Sequence, residues 1–196
     1  MTSLRPLKFW LAASLASLAA IQLGRRLLVP WERTWGAKGD EATRDLPGDH
    51  LVEQPNYTTT RAIKVNARPE DIYPWLVQMG YRRGGLYSSD FLDRLFGFID
   101  APSAKHVLPQ FQHLQPGEAI PVGRGEQVPV RELVPNRAFV LGGEDPSSGF
   151  EWSWQTVMEP IDESHTRLIT RNCGRMPRTP LVRLTLVVMD LAAFVM

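Results

Sequence analysis

Five segments with strand character follow one another between residues 118 and 173, and this succession constrains the fold more than any other feature. The clearest is residues 150–159, where one face consists of bulky side chains: Phe150, Trp152, Trp154, Thr156 and Met158. A period of two is typical of a strand with two different faces. The other four segments are residues 118–122, 127–134, 137–142 and 166–173. Because strands joined by short loops pair with their neighbours, the sequence predicts an antiparallel sheet.

A further strand and a helix precede these five segments. Residues 58–66 alternate as a strand, and residues 69–79 follow as a helix that begins with a proline and two acidic residues. The spacing i, i+3, i+4, i+7 predicts that the buried face of this helix consists of Ile72, Trp75, Leu76 and Met79. A short helix over residues 89–96 and an apolar helix over residues 181–196 complete an α+β order.

Four sequence words carry a resemblance to a known family. They are TTRAIKVNARPEDIYPWLVQMG, RGGLYSSDFLD, PGEAIPV and MDLAAFVM. The chain resembles the START-like superfamily, also called SRPBCC or polyketide cyclase/dehydrase-like, from about residue 31 to residue 196. The resemblance implies a helix-grip fold, in which a curved antiparallel sheet wraps around a long C-terminal helix. It leaves the function open, because the superfamily includes lipid carriers, hormone receptors and cyclases.

The amino terminus is apolar and is flanked by basic residues. Residues 9–23 are interrupted only by Ser14, Ser17 and Gln22, and residues 1–33 contain five basic residues against one acidic residue. This pattern favours a single N-terminal membrane anchor, although 15 residues are fewer than the roughly 20 that span a bilayer. A cleaved secretory signal and a soluble or surface-lying helix are the alternatives. The anchor predicts a membrane-bound protein, and the cleaved signal predicts a secreted one.

The chain therefore divides into three predicted parts. Residues 1–30 form the anchor or signal segment, residues 31–57 an irregular connector, and residues 58–196 the START-like domain. Trp31 and Trp35 in the connector suit either a membrane interface or a cap on the domain core.

Several function classes receive no support from the composition. A net charge of +1 gives no general reason to expect nucleic-acid binding. Cys173 is the only cysteine, so an internal disulfide is excluded. The four histidines lack the spacing of a metal site, and we expect neither a metal nor another cofactor.

A ligand pocket is the favoured site. Trp152 and Trp154 share one strand face, and the proposed fold brings Trp75 near them; Gln78, Tyr87 and Arg171 are the polar candidates. Arg171 is the polar candidate opposite the two strand tryptophans, because it lies on the neighbouring strand and its guanidinium suits a carboxylate or carbonyl. The alternative is that Arg171 points to solvent on the convex side, since Arg167, Ile169 and Arg171 share one strand face. The sequence thus predicts a domain that binds a small apolar or amphipathic ligand, lipid-like or polyketide-like, at a membrane.

Two other functions fit the same pattern. One is a cyclase or dehydratase acting on a polyketide-like carbonyl substrate, with Tyr87, Asp90 or Arg171 as acid, base or polarising group. The other is an interaction domain without a ligand, since an apolar pocket and a filled core have the same sequence pattern.

Overall fold

The computed structural model describes residues 29–177 together with positions 24, 179 and 182. Within them, six strands form one antiparallel sheet in the order β1-β6-β5-β4-β3-β2. The strands are β1 (Tyr57–Val65), β2 (Ala119–Val122), β3 (Glu126–Val134), β4 (Ala138–Asp145), β5 (Phe150–Asp162) and β6 (His165–Arg175). The helices are α1 (Pro69–Val77) and α2 (Asp90–Leu95), with single 3-10 turns at Asp49–Leu51 and Pro109–Phe111. The fold class is α+β, as predicted, with a curved sheet.

All six predicted strands are present, with ends that differ from the expected ones by at most three residues. Two irregularities bend the sheet, one in β3 between Val130 and Glu132 and one in β5 between Pro160 and Asp162. Each leaves one residue without a partner, which increases the local twist. Pro129, expected at an edge or bulge, pairs with Ala119 of the short edge strand β2 and lies next to the β3 bulge.

The sheet buries different residues on its two faces. We call the face that carries Leu141, Trp154 and Thr170 the inner face, because α1 packs against it. Its core is a cluster of buried apolar side chains: Val77, Met79, Ile120, Val130, Phe139 and Leu141. The outer face has a smaller cluster: Leu46, Ala62, Val157 and Ile169.

The predicted buried face of α1 is partly wrong. Val77 is buried, and Tyr73 and Leu76 pack against the inner cluster, whereas Ile72 and Trp75 remain half-buried. The helix also ends at Val77 rather than at Met79. Met79 is buried in the inner cluster as predicted, but it lies in the turn after the helix.

The connector is irregular, as predicted, but it is packed closely against the sheet. It crosses the exposed edge of β1, where the Ala62 N–H donates to the Trp35 carbonyl over 3.1 Å. It then runs across the outer face and places Leu46 in the core of that face. A covered edge strand is protected against pairing with another chain.

Two predicted segments lie outside the described residues: the apolar N-terminal run, residues 9–23, and, apart from Val182, the C-terminal helix, residues 181–196. Among the residues that the structure does describe, no helix combines the length and hydropathy needed to cross a bilayer.

Candidate ligand-binding site on the inner face

A cavity of about 490 Å³ lies where the inner face meets the edge of β1. Four elements line it: the connector, β1, β6 and the loop before α2. The lining residues are Trp35, Arg61, Ala62, Ile63, Tyr87, Leu168 and Thr170. An apolar surface with a few polar groups in fixed positions is typical of small-molecule sites.

Tyr87 lies in this cavity in an unusual backbone conformation. Its φ angle is +58°, a left-handed value that is uncommon for a bulky residue. Residues in such conformations cost free energy and often occur at functional sites. Burial raises the pKa of the half-buried phenol, so the hydroxyl keeps its proton at neutral pH.

Gln78 holds the Tyr87 hydroxyl in place and is itself completely buried. The Leu108 N–H donates to the Gln78 side chain over 2.8 Å, which identifies the receiving atom as the amide oxygen. The amide nitrogen therefore donates to Tyr87 Oη and, over 3.2 Å, to the His106 carbonyl. Because protein groups occupy its donors and its oxygen, Gln78 positions Tyr87 instead of contacting a ligand as expected.

The close approach of these two side chains depends on Gly84. A Cβ atom at this position would lie 2.5 Å from Tyr87 Oη and 2.8 Å from Gln78 Cγ. Any larger residue would displace the tyrosine hydroxyl. The close packing of Tyr87 and Gln78 therefore requires a glycine at position 84.

The three predicted tryptophans lie on the inner side. Trp75 meets Tyr87 edge to face with ring centroids 5.5 Å apart, which supports the tyrosine ring from α1. Trp154 packs against the inner cluster and donates its indole N–H to Thr170 Oγ1 over 2.9 Å. Trp152 shares that face two residues earlier and pairs with Gly143 and Gly174. None of the three belongs to the described cavity lining. Trp75 and Trp154 contact lining residues from behind, through Tyr87 and Thr170 respectively.

The expectation that Arg171 faces the tryptophans is wrong. Arg171 pairs with Gln155 and lies on the outer face, where it is only 4% exposed. Its guanidinium donates to Thr60 Oγ1 over 3.0 Å, to the connector carbonyls of Arg44 (3.0 Å) and Glu41 (2.7 Å), and to the Asp49 carboxylate. Arg171 therefore binds the connector to the sheet.

The β5 bulge is the physical cause of this error. At the hairpin, Asp162 pairs with His165, and an unbroken register from that pair would place Arg171 opposite Thr156 on the inner face. The extra residue, Ile161, shifts the register by one, so that Arg171 meets Gln155 instead. A shift of one residue moves every following side chain of β6 to the other face.

The same shift explains which site residues sequence reasoning missed. Thr170 and Leu168 reach the cavity only because the bulge places them beside Thr156 and Met158. Arg61 and Ile63 were already predicted to share a face of β1, and this alternation was the available signal. The alternation alone did not show which face of β1 lies inside, because that depends on the pairing with a neighbouring strand.

The groups considered for an enzyme do not converge. Of Tyr87, Asp90 and Arg171, only Tyr87 lines the cavity. The Asp90 carboxylate accepts hydrogen bonds from the Ser103 hydroxyl (2.7 Å) and N–H (3.2 Å), and these bonds lower its pKa. Asp90 is thus an anchor for the loop that follows α2.

The remaining concave surfaces are less suited to an apolar ligand. A cleft of about 470 Å³ at the start of α1 carries both signs of charge, including Arg68, Glu70, Arg137 and Asp162. Within the described residues, no group of three His, Cys, Asp or Glu side chains is arranged to hold a metal ion.

No family model matches the chain, and no curated protein matches it. Among solved structures it is similar to protein MLL2253 from Mesorhizobium loti, with 13% identity, coverage of 70% of this chain and 90% of the other, and a TM-score of 0.40. It is also similar to the Aha1 dimer from Colwellia psychrerythraea (19% identity, 70% and 92% coverage, TM-score 0.38) and to CalU16 from Micromonospora echinospora (10%, 70% and 71%, 0.37). The likeness is one of general fold, and no ligand or activity follows from it.

Proposed function

We propose that this protein binds a small apolar or amphipathic molecule in the cavity between Tyr87 and strands β1 and β6. The observation that carries the proposal is the combination of apolar walls, from Trp35, Ile63 and Leu168, with a tyrosine that Gln78 and Gly84 hold in one position. A filled core would not need a strained tyrosine at its edge. Ligand sites, by contrast, need polar groups whose positions are fixed.

We further propose that the apolar segment of residues 9–23 holds this domain at a membrane. Its support is the run of apolar residues between basic clusters. Carbonate extraction of membranes tests it: an anchored chain stays in the membrane fraction. Release of the intact chain would reject the anchor, and a mature amino terminus near Ala20 would show signal cleavage instead.

Native mass spectrometry of the full chain, gently released from detergent, tests the binding proposal. We expect an additional mass from a co-purified small molecule, and we expect Leu168→Trp to remove most of it, because the larger side chain fills the cavity. Leu95→Trp is the matched control, since Leu95 is 67% exposed on α2 and does not line the cavity. An adduct that Leu168→Trp retains fully, or no adduct on the wild type, would contradict the proposal.

A further inference from the structure

The hydrogen bonds around the cavity restrict which polar groups a ligand can carry. Two residues of its described lining carry hydroxyls, Tyr87 and Thr170, and each hydroxyl accepts a hydrogen bond from a neighbouring side chain. A hydroxyl has one proton to donate besides the lone pairs with which it accepts. The polar group that each hydroxyl retains for a ligand is therefore its O–H proton.

Both accepting bonds have a fixed direction. The indole N–H of Trp154 is only a donor, so Thr170 Oγ1 must be its acceptor. Gln78 presents its amide nitrogen to Tyr87 because its oxygen receives the Leu108 N–H. Among the described residues, neither hydroxyl donates to a protein acceptor, so both protons remain available at the cavity wall.

The other polar side chains of the wall are also donors. Arg61 and Trp35 carry N–H groups, and no carboxylate, amide or imidazole belongs to the described lining. The guanidinium of Arg61 forms an ion pair with Glu32 of the connector, so its charge is balanced within the protein. Arg61 and Trp35 already interact with other groups, so Tyr87 and Thr170 are the described lining residues with a donor left for a ligand, and the described lining carries little net positive charge.

We propose that the cavity selects an apolar molecule with a neutral oxygen acceptor, such as a ketone, aldehyde or ester carbonyl, to which Tyr87 and Thr170 donate. This inference rests on the proposed function and gives it a ligand class. A hydrocarbon that displaces water from the cavity would leave two hydroxyl protons without acceptors, which is costly. A carboxylate would bring a charge that the Arg61–Glu32 pair does not neutralise.

Fluorene and 9-fluorenone provide a matched test, because they share a rigid shape and differ by one carbonyl oxygen. Their affinities are measured for the full chain in lipid nanodiscs, with empty nanodiscs as the partition control. We expect the wild type to prefer fluorenone about tenfold or more, since each neutral hydrogen bond contributes about two- to twelvefold. 9-Fluorenecarboxylate should bind more weakly than the ketone.

Tyr87→Phe and Thr170→Val each remove one donor, and each should lower the affinity for fluorenone more than that for fluorene, so that the preference falls by about two- to twelvefold. Tyr73→Phe is the matched control, because Tyr73 packs against the inner cluster outside the cavity lining and should leave the preference intact. Thr170→Ser keeps the hydroxyl and should retain most of the preference.

Equal wild-type affinities for the two compounds, or a preference that both variants retain, would overturn the inference. Tighter binding of the carboxylate would overturn its restriction to a neutral acceptor. If fluorene binds without any preference for the ketone, only this inference fails; if neither compound binds, the proposed function fails with it. The wild-type preference decides the question even where a variant does not fold.

Discussion

The two faces of the sheet are closed in different ways. On the outer face, the connector lies directly on the strands and is held by charged and polar groups around Arg171. On the inner face, an apolar cluster fills the region of β3 and β4, whereas the region of β1 and β6 retains a cavity. The comparison shows that burial alone does not identify a site, because Arg171, a charged residue only 4% exposed, has a structural role.

The outer face also shows why an arginine suits a structural role in this position. Its guanidinium has five donors in a fixed plane, and here it serves two connector carbonyls, a threonine hydroxyl and the Asp49 carboxylate at once. Gln155 adds a second bond to Asp49 over 2.7 Å. A buried ion is tolerated when it has such partners, and it is costly when one is removed.

The largest expected effect is therefore on the outer face. Arg171→Met should lower the free energy of unfolding by about 3–5 kcal/mol, because it leaves Asp49 and the connector carbonyls without their donor. Urea unfolding of the full chain measures the change. Arg175→Met is the matched control: Arg175 lies on the same face of β6, but its pair with Glu151 is largely exposed, so the loss should stay below about 1 kcal/mol. Equal losses would mean that Arg171 does not fasten the connector.

The next effect concerns the point where the connector passes from one face to the other. Gly36 has a φ of +73°, and a Cβ there would lie 2.1 Å from the Ala62 carbonyl oxygen of β1. Gly36→Ala should lower the free energy of unfolding by about 2–4 kcal/mol. Strain of about 1–2 kcal/mol from the left-handed backbone conformation adds to the clash with the Ala62 carbonyl. Faster hydrogen exchange of the Ala62 amide would show the connector leaving the edge.

Gly39→Ala separates the two contributions. Gly39 also has a positive φ, of +56°, but a Cβ at this position would meet nothing within 4 Å. Its cost should thus be limited to the strain, about 1–2 kcal/mol. If Gly36→Ala costs no more than Gly39→Ala, the connector is not tightly seated on the β1 edge.

The smallest effect depends on pH. The hydrogen bond from Arg167 holds the pKa of Glu41 below its ordinary value of 4.5, despite the opposing effect of burial. A depressed pKa adds stability that is fully present above 4.5 and is lost as the pH falls through the lower, folded-state value. Glu41→Gln should lower the free energy of unfolding by about 1 kcal/mol at pH 7. The difference in unfolding free energy between this variant and the wild type should shrink below pH 4.5.

Asp40→Asn is the control for this measurement, because Asp40 is the adjacent acid and its side chain is 78% exposed. Its effect on unfolding should be close to zero at every pH. A Glu41→Gln difference that stays constant down to pH 3 would show that the Glu41–Arg167 pair does not contribute to the pH dependence.

The sequence predicted the strands well because their signals are local. The alternation in β5 and the turn residues between strands do not depend on the rest of the chain. The face occupied by each side chain depends instead on register, and the single bulge at Ile161 reversed the expectation for Arg171. No local pattern at Pro160–Asp162 marks that extra residue.

The candidate site was predicted in part for the same reason. Tyr87 was identified as a polar group in an aromatic region, and the ring of Trp75 does contact it. The role of Gln78 could not be derived, because it depends on the Leu108 N–H thirty residues later in a loop without periodicity. The packing of the connector likewise depends on long-range pairs such as Arg44 with Glu159.

Photolabelling most directly tests the claim that the inner face holds the ligand. Benzophenone is itself an apolar ketone, and under ultraviolet light it inserts into nearby C–H bonds; the labelled peptides of the full chain are then identified by mass spectrometry. We expect labels near Ile63, Tyr87 and Leu168 that excess fluorenone suppresses. Labels concentrated on the outer face near Leu46 and Val157, or labels that fluorenone does not reduce, would contradict the account.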